Sequence, residues 1–356
     1  MHRSPAPTTR VAVAVPVLAA LGLLAVPAPA FAAAPKVETV SKAYDNPLQL
    51  AVRGSRVLVT DGNRLTQVGR AEPLATGPSK GEISGIALDA AGTAYAYGSS
   101  NAGRTDTRLT IVKADGSRVV ASLSAFEKKK NPDGGVAYGV RRPSSCVRAA
   151  FKALDGGPAG YPGRVDSRPY AVASAGTAWY VADAGANAVL KVDTAGRVSR
   201  VAVLPRQPFR FSSKIVEGLG MPRCVVGVTY QAEPVPTDVE VGPDGALYVT
   251  TLPGLYDLGQ KGAVYRVDPR TGRVTRVAAG FAGAVNVAVS SAGRIFVAEL
   301  LSGRVSRVKA KGKVVGYVKL RGVAGLEWSG GRLHASVMAP VSMGVRTGPG
   351  RIVRIG

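Results

Sequence analysis

The chain has 356 residues, of which 46 are basic and 23 acidic, so its formal net charge is +23. Hydrophobic residues make up 46% and charged residues 19%, which is enough to bury a core and excludes general disorder. Two histidines and two cysteines exclude a multi-histidine metal cage, a zinc ribbon and a disulfide-dense scaffold.

Residues 1–32 have the pattern of a Sec-type secretory signal peptide. Arg3 and Arg10 form a short positive region, and an apolar stretch follows from 11 to 26. Ala30-Phe31-Ala32 places small residues at the −3 and −1 positions of a cleavage site after Ala32; cleavage after Ala30 is the close alternative. A membrane anchor is the other interpretation, but the stretch is short for one. We expect residues 33–356 to be secreted, with no transmembrane segment in the mature chain.

The mature chain contains a repeat that predicts β-propeller blades. In 237–249, an alternating apolar run is followed by a Gly/Pro/Asp turn and a second apolar run. The same pattern recurs at 48–59, 85–95, 170–181, 285–297 and 326–335. A second hairpin follows in most copies, as at 188–201. Four alternating strands in each repeat of about 40 residues are typical of a blade, so the sequence predicts an all-β, six-bladed propeller of four-stranded antiparallel blades.

The last repeat predicts how the ring closes. It has only three strands, at 325–329, 332–337 and 351–355. The mature N-terminus has the alternation of a strand at Lys36–Val40. We expect this strand to complete the last blade, because pairing the two termini covers edges that would otherwise be exposed.

Three segments also resemble a known family: Pro236–Gly245, Thr251–Gly254 and Val181–Asn187. Together with the signal peptide, they are similar to exported actinobacterial ScyD/ScyE-like proteins, which belong with NHL-type propellers. The resemblance covers nearly the whole mature chain. It implies the propeller fold, and no catalytic residue is carried over from it.

Three long insertions fall on one face of the predicted ring, at 125–166, 206–235 and 250–262. In a propeller, the blade-to-blade crossovers and the loops between second and third strands share a face, so we expect these insertions to form a cap there. Long loops in a compact domain are usually functional, and we expect any ligand on this long-loop face. Cys146 and Cys224 lie one in each crossover insertion and predict a disulfide that fixes the cap.

The candidate ligand-binding residues are those whose side chains project onto this face: Asp166, Arg168, Tyr170, Asp183, Asn187, Asp238, Tyr256, Asp257, Asn286 and Glu299. Asp238 and Asn286 occupy equivalent positions on neighbouring inner strands, where their oxygens could hold Ca²⁺ at the channel mouth. The alternative is that both residues hydrogen-bond strand ends or channel water. Asp183 and Glu299 end second strands, and the alternative for them is a turn-capping role.

No sequence motif identifies a catalytic centre. His334 is the only histidine after the signal peptide, and its repeat equivalents Tyr248 and Phe296 are ordinary sheet positions, so we interpret it as a sheet histidine rather than a triad base. The main hypothesis is a secreted binding or scaffold protein for a small molecule, glycan or extracellular protein. Its basic charge also suits an anionic cell-wall polymer, whereas the scattered arginines and the compartment disfavour nucleic acid. The alternative is a lactonase-like hydrolase or lyase with a channel-mouth metal.

Overall fold

The fold was analysed in a computed structural model that describes residues 35–155, 157–259, 261–342 and 345–356. The predicted signal peptide lies outside these residues. The propeller comprises Pro35–Gly356. No helix in the described ranges is long and apolar enough to cross a membrane.

The described residues form thirty strands and three α-helices, named here in chain order. After β1 (Val37–Tyr44), the first two blades and the first insertion contain the following elements: blade 1, β2 (Pro47–Arg53), β3 (Arg56–Asp61), β4 (Arg64–Gln67) and β5 (Ala75–Thr76); blade 2, β6 (Glu82–Leu88), β7 (Tyr95–Ser100), β8 (Thr107–Val112) and β9 (Arg118–Ser122); insertion, α1 (Leu123–Lys130), β10 (Ala137–Val140), α2 (Ser145–Asp155) and β11 (Gly160–Pro162).

The middle of the chain contains blade 3, the second insertion and blade 4: blade 3, β12 (Pro169–Ala175), β13 (Ala178–Asp183), β14 (Ala188–Asp193) and β15 (Val198–Val203); insertion, β16 (Gln207–Arg210), α3 (Ser213–Gly218), a 3-10 helix (Arg223–Val225) and β17 (Thr229–Ala232); blade 4, β18 (Pro236–Val241), β19 (Leu247–Thr251), a 3-10 helix (Tyr256–Leu258), β20 (Gly262–Val267) and β21 (Val274–Phe281).

The last two blades complete the chain: blade 5, β22 (Ala284–Val289), β23 (Ile295–Glu299), β24 (Arg304–Val308), a 3-10 helix (Ala310–Gly312) and β25 (Val314–Lys319); blade 6, β26 (Val323–Ser329), β27 (Arg332–Val337), a hairpin of β28 (Val341–Ser342) and β29 (Val345–Arg346), and β30 (Gly350–Ile355). Blades 1 to 5 are each a four-stranded antiparallel sheet in chain order.

The blades close into a ring, as a β-propeller requires. The innermost strands contact one another in the cycle β2–β6–β12–β18–β22–β26–β2. A separate hydrophobic cluster fills each interface between neighbouring blades; Tyr180 of blade 3 and Leu247 of blade 4, for example, share one cluster. The β-propeller fold predicted from the repeats is therefore confirmed.

Blade 6 has the strand order β1-β30-β27-β26, so the N-terminal strand is its outer strand. Val37 pairs with Ile355, and the Lys36 amide donates to the Gly356 carbonyl at 2.9 Å. The predicted closure of the ring by the N-terminal strand is confirmed. The strand extends to Tyr44, four residues beyond the predicted segment, because its pairing with β30 continues through two register shifts.

The two crossover insertions are not plain loops. Strands from both insertions form one further four-stranded sheet, in the order β11-β10-β17-β16, which we call the cap sheet. Helices α2 and α3 pack against it through a cluster that includes Val147, Phe151, Phe211 and Val216. The sequence prediction missed this sheet because its strands are three or four residues long, too short for an alternating pattern to be recognised.

Candidate functional site

The cap is held together by aromatic packing and one disulfide. Phe151 of α2 stacks on Tyr230 of the cap sheet with ring centroids 5.7 Å apart, and the Phe211 ring meets Phe151 edge-on at 5.8 Å. Cys146 and Cys224 are bonded, which confirms the predicted disulfide. Because these contacts join both insertions, the cap forms a platform whose side chains are held in place.

Two adjoining cavities lie along this platform. The first has a volume of about 660 Å³ and is lined by the cap sheet and by the segment that leaves β10. The second, of about 530 Å³, lies between β16 and the outer strand of blade 4. Arg206 lines both cavities, so they adjoin at this side chain, and we call the two together the cap groove.

The floor of the first cavity is backbone. Gly139 has φ +75°, and a Cβ there would lie 2.3 Å from the carbonyl oxygen of Ala159. Gly160, opposite it in the ladder, has no room for a Cβ either, because the atom would lie 2.5 Å from the Val140 carbonyl oxygen. Two facing glycines therefore let the strands approach closely and leave the surface above them open.

The walls of the groove are uniformly basic. Its charged lining residues, all exposed, are Arg141, Arg142, Arg206, Arg210, Lys261 and Arg276. No Asp or Glu lines either cavity, and none of the six basic side chains forms an ion pair within the described ranges. Unpaired like charges on one surface repel one another, so the groove has a positive potential that favours an anion.

Two of these arginines have a defined conformation. Arg206 donates from Nη1 to the carbonyl oxygen of Ala137 at 3.0 Å, which directs its guanidinium across the cap sheet. Arg142 has φ +53°, in the left-handed region that residues with a Cβ seldom adopt. Backbone strain of this kind occurs preferentially at binding sites, where the surrounding structure maintains it.

The predicted site residues of blade 3 lie elsewhere on the same face and are paired. Arg168 binds Glu82 through two hydrogen bonds, of 2.7 Å and 2.9 Å, and its guanidinium lies 5.3 Å from the centre of the Tyr170 ring. Asp166 forms an ion pair with Arg104 at 3.0 Å. These contacts join blades 2 and 3 and pair the charges of Asp166 and Arg168.

Asp183 and Glu299 are fully buried at the ends of second strands. Asp183 accepts hydrogen bonds from the Arg168 amide at 2.6 Å and from Ser167 Oγ at 2.7 Å. Glu299 accepts from the Ala282 amide at 2.7 Å and from Arg304 Nε at 2.8 Å. Both carboxylates therefore bind the crossover that enters their own blade. Burial raises the pKa of Asp183 above its usual range.

Asn187 connects blade 3 to the cap. Its side chain donates to Asp133 Oδ2 at 2.9 Å and accepts from the Val235 amide at 3.1 Å. Asp257 is exposed in the 3-10 helix Tyr256–Leu258. The side chain of Tyr256 lies outside the described residues.

Asp238 and Asn286, the predicted metal ligands, both link their own blade to the next. Asp238 Oδ2 accepts from the Val287 amide at 2.8 Å, and Asn286 Oδ1 accepts from the Leu326 amide at 2.7 Å. Asn286 Nδ2 also donates to Gln49 at 2.6 Å. No group of three or more His, Cys, Asp or Glu side chains able to hold a metal occurs in the described part of the chain. A Ca²⁺ site at these two residues stays a prediction.

The innermost strands carry a second charged cluster. Arg53 of blade 1 forms a 2.8 Å ion pair with Glu327 of blade 6. Glu240 of blade 4 has no hydrogen-bond or ion-pair partner among the described residues. Burial, and then the charges of Glu327 and Asp238, raise the pKa of Glu240 well above its usual range.

Neither the groove nor this charged cluster was apparent from the sequence. Arg141 and Arg142 form the only Arg-Arg dipeptide in the chain, and this pair, a few residues before Cys146 in the predicted cap, was the available signal. Arg206 and Arg276 are 70 residues apart and come together only through the cap sheet and blade 4.

Comparison with known proteins supports the fold. The chain matches no protein-family model and no curated protein sequence. It is similar in structure to the PQQ-bound aldose sugar dehydrogenase of Streptomyces coelicolor, with a TM-score of 0.54 and 15% identity over 90% of this chain and 98% of that one. A gluconolactonase of Xanthomonas campestris gives a TM-score of 0.51 and 13% identity over 90% of this chain and 89% of that one. At these identities the similarity shows the fold alone, and the chain is a β-propeller protein.

Proposed function

We propose that this chain is a secreted β-propeller binding protein whose cap groove binds an anionic polymer. The observation that carries the proposal is the groove itself: six exposed basic side chains and no acidic one line two cavities joined at Arg206. Guanidinium groups bind phosphate and carboxylate in a bidentate manner, and five of the six groups are arginines.

The shape of the groove favours an extended ligand over a single small anion. The two cavities, of about 660 and 530 Å³, are each large enough for a small molecule, and they follow one another along the cap. A polymer with a repeated negative charge would contact both. Without Arg3 and Arg10 of the signal peptide, the net charge of +23 becomes 23 − 2 = +21, which would also attract such a polymer at long range.

Export is part of this proposal. The signal-peptide pattern of residues 1–32 and the resemblance to exported ScyD/ScyE-like proteins support it, and the Cys146–Cys224 disulfide suits an oxidising compartment. Anionic wall polymers carrying phosphate or carboxylate groups are the extracellular ligands that this chemistry would recognise.

Titration with a polyphosphate chain tests the proposal. We expect the mature protein to bind it, with affinity that falls as salt rises because exposed charges are screened. The double variant Arg141→Gln/Arg206→Gln should bind at least about tenfold more weakly, since charge-assisted contacts contribute roughly 1.5–3 kcal/mol each.

The matched control is Arg270→Gln/Arg273→Gln, which removes the same charge from the exposed turn between β20 and β21. That turn lies on the face opposite the crossovers. If the control variant lost as much affinity as the groove variant, binding would depend on net charge alone and the groove would not be the site.

A hydrolase or lyase of the lactonase type is the second candidate. The observation that favours it is the unpartnered Glu240 carboxylate near Glu327 and Arg53, since a carboxyl with a raised pKa can act as a general acid. A panel of lactone and ester substrates tests this candidate. Hydrolysis by the wild-type protein that is lost in Glu240→Gln would support an enzyme. If the wild-type protein turned over none of these substrates, the enzyme candidate would be rejected.

A further inference from the structure

Helix α1 ends in a charged segment whose one acidic side chain is buried. In the run Glu127-Lys128-Lys129-Lys130, the three lysines are exposed, whereas the Glu127 side chain is 1% exposed. The helix then ends at Asn131, whose amide donates to the Glu127 carbonyl and whose φ is +36°. A charged side chain is seldom buried in this way without a partner.

Four side-chain oxygens at this place are buried without a hydrogen-bond partner: Glu127 Oε1 and Oε2, Asn131 Oδ1 and Asp133 Oδ1. Asp133 is itself 0% exposed. Two donors lie close by, the Tyr138 hydroxyl near Asp133 and the Asp166 amide near Glu127, and neither meets hydrogen-bond geometry. By contrast, Asp183, also fully buried, accepts three hydrogen bonds.

The segment is also closely packed around Gly163. Asn131 Nδ2 donates to the Gly163 carbonyl at 3.2 Å, which leaves Asn131 Oδ1 unused. A Cβ on Gly163 would lie 2.2 Å from Asp133 Oδ1, so only glycine fits beside this carboxylate. Asn187 Nδ2 binds Asp133 Oδ2 at 2.9 Å and so fixes the carboxylate while Oδ1 stays unpartnered.

The surroundings are negative. The carboxyl groups of Asp183, Asp133 and Asp166 all lie close enough to Glu127 to act on it electrostatically. The acidic residues here are Glu127, Asp133, Asp166 and Asp183. Among the described residues their one basic ion-pair partner is Arg104, which binds Asp166 at the surface. Buried carboxyl and amide oxygens that lack hydrogen-bond partners gain most from a bound cation.

We propose that Glu127, Asn131 and Asp133 form a calcium site that fastens the first insertion to blade 3. Two carboxylates and one amide oxygen within seven residues of chain are hard ligands of the kind Ca²⁺ prefers. No cysteine or histidine is among them, which disfavours zinc and copper. The site contains only two acidic ligands, so it is consistent with the lack of any three-residue His, Cys, Asp or Glu metal cluster among the described residues. It does not depend on the anion-binding proposal.

Calcium titration of the full mature chain, after treatment with EGTA, tests the site. We expect one Ca²⁺ per chain by calorimetry and a rise in Tm of at least about 3 °C at saturating calcium, because a ligand of the folded state stabilises it. Glu127→Gln should abolish both effects. This variant keeps the size of the side chain and removes its charge, so we expect it to fold without calcium.

Three further measurements make the result decisive. Asp133→Asn should weaken calcium binding at least about tenfold, whereas Glu72→Gln, at an exposed position, should leave it unchanged. Asp238→Asn should also leave calcium binding unchanged. If Asp238→Asn lost calcium binding while Glu127→Gln kept it, the ion would lie at the channel mouth and the proposal would be overturned. A wild-type protein that binds no calcium and keeps its Tm in EGTA would overturn it as well.

Discussion

The disulfide between Cys146 and Cys224, which are 78 residues apart in the chain, joins the two crossover insertions. One cysteine lies in α2 and the other in the 3-10 helix Arg223–Val225, so the bond joins the insertion that precedes blade 3 to the insertion that follows it. The cap therefore has a covalent link that the blades do not need, since each blade has its own ladder of strand hydrogen bonds.

We expect the variant Cys146→Ser/Cys224→Ser to loosen the cap selectively. Closing a loop of this length is worth roughly 4–5 kcal/mol in the chain-entropy model. Proteolysis should become faster within 126–166 and 206–235, with the β-sheet circular dichroism nearly unchanged. Equal acceleration of cleavage in the blades would contradict this expectation.

Deleting residues 35–44 should destabilise the whole ring. The deletion removes β1, exposes the edge of β30, and takes away a ladder whose hydrogen bonds contribute roughly 0.5–1.5 kcal/mol net each. We expect a lower Tm in thermal unfolding, and partial recovery when a peptide of residues 35–46 is added. An unchanged Tm in the truncated protein would show that β1 does not contribute to closure.

The architecture was predictable because its signals are local and repeated. The alternation at 237–249 and 285–297 gives the inner hairpins of blades 4 and 5 directly. The outer strand at the N-terminus was predictable because the last repeat lacks one strand. The disulfide was predictable as well, because an exported protein enters an oxidising compartment and Cys146 and Cys224 lie one in each crossover insertion.

The groove was not predictable, because nothing local defines it. Gly139 and Gly160 face each other only after β10 and β11 pair, and Arg276 belongs to a blade that follows the cap in the chain. The candidate residues chosen from the sequence were polar residues near strand ends. Asp183 and Glu299 show that this criterion also selects structural residues: buried strand ends need acceptors for crossover amides, and carboxylates supply them.

Gly139→Ala should close the floor of the groove. The new Cβ would lie 2.3 Å from the Ala159 carbonyl oxygen, and the φ of +75° is unfavourable for alanine. We expect a loss of about 2 kcal/mol or more in cap stability, and weaker polyphosphate binding. The control is Gly135→Ala, where a Cβ meets nothing within 4 Å. If both variants bound polyphosphate like the wild type, the floor would not matter for binding.

His334 should make the fold less stable in mild acid. Burial, and then the charges of Arg354 and Arg332, lower its pKa below 6.5, and its Nδ1 is buried without a partner. The unfolded chain therefore binds the proton more readily, so stability should fall as pH drops through about 6.5. His334→Phe should lose less stability than the wild type between pH 7 and pH 5, as measured by urea unfolding. An identical pH dependence in the two proteins would contradict this assignment.

The most direct test of the account is hydrogen exchange of the mature protein with and without polyphosphate. We expect the polymer to slow amide exchange in two segments: 137–143, which lines the first cavity, and 205–210, which lines the second. Exchange in the outer strands of blades 1, 2, 5 and 6 should not change. Protection spread evenly over the basic surface of the blades, or none in these two segments, would contradict the claim that the cap groove is the binding site.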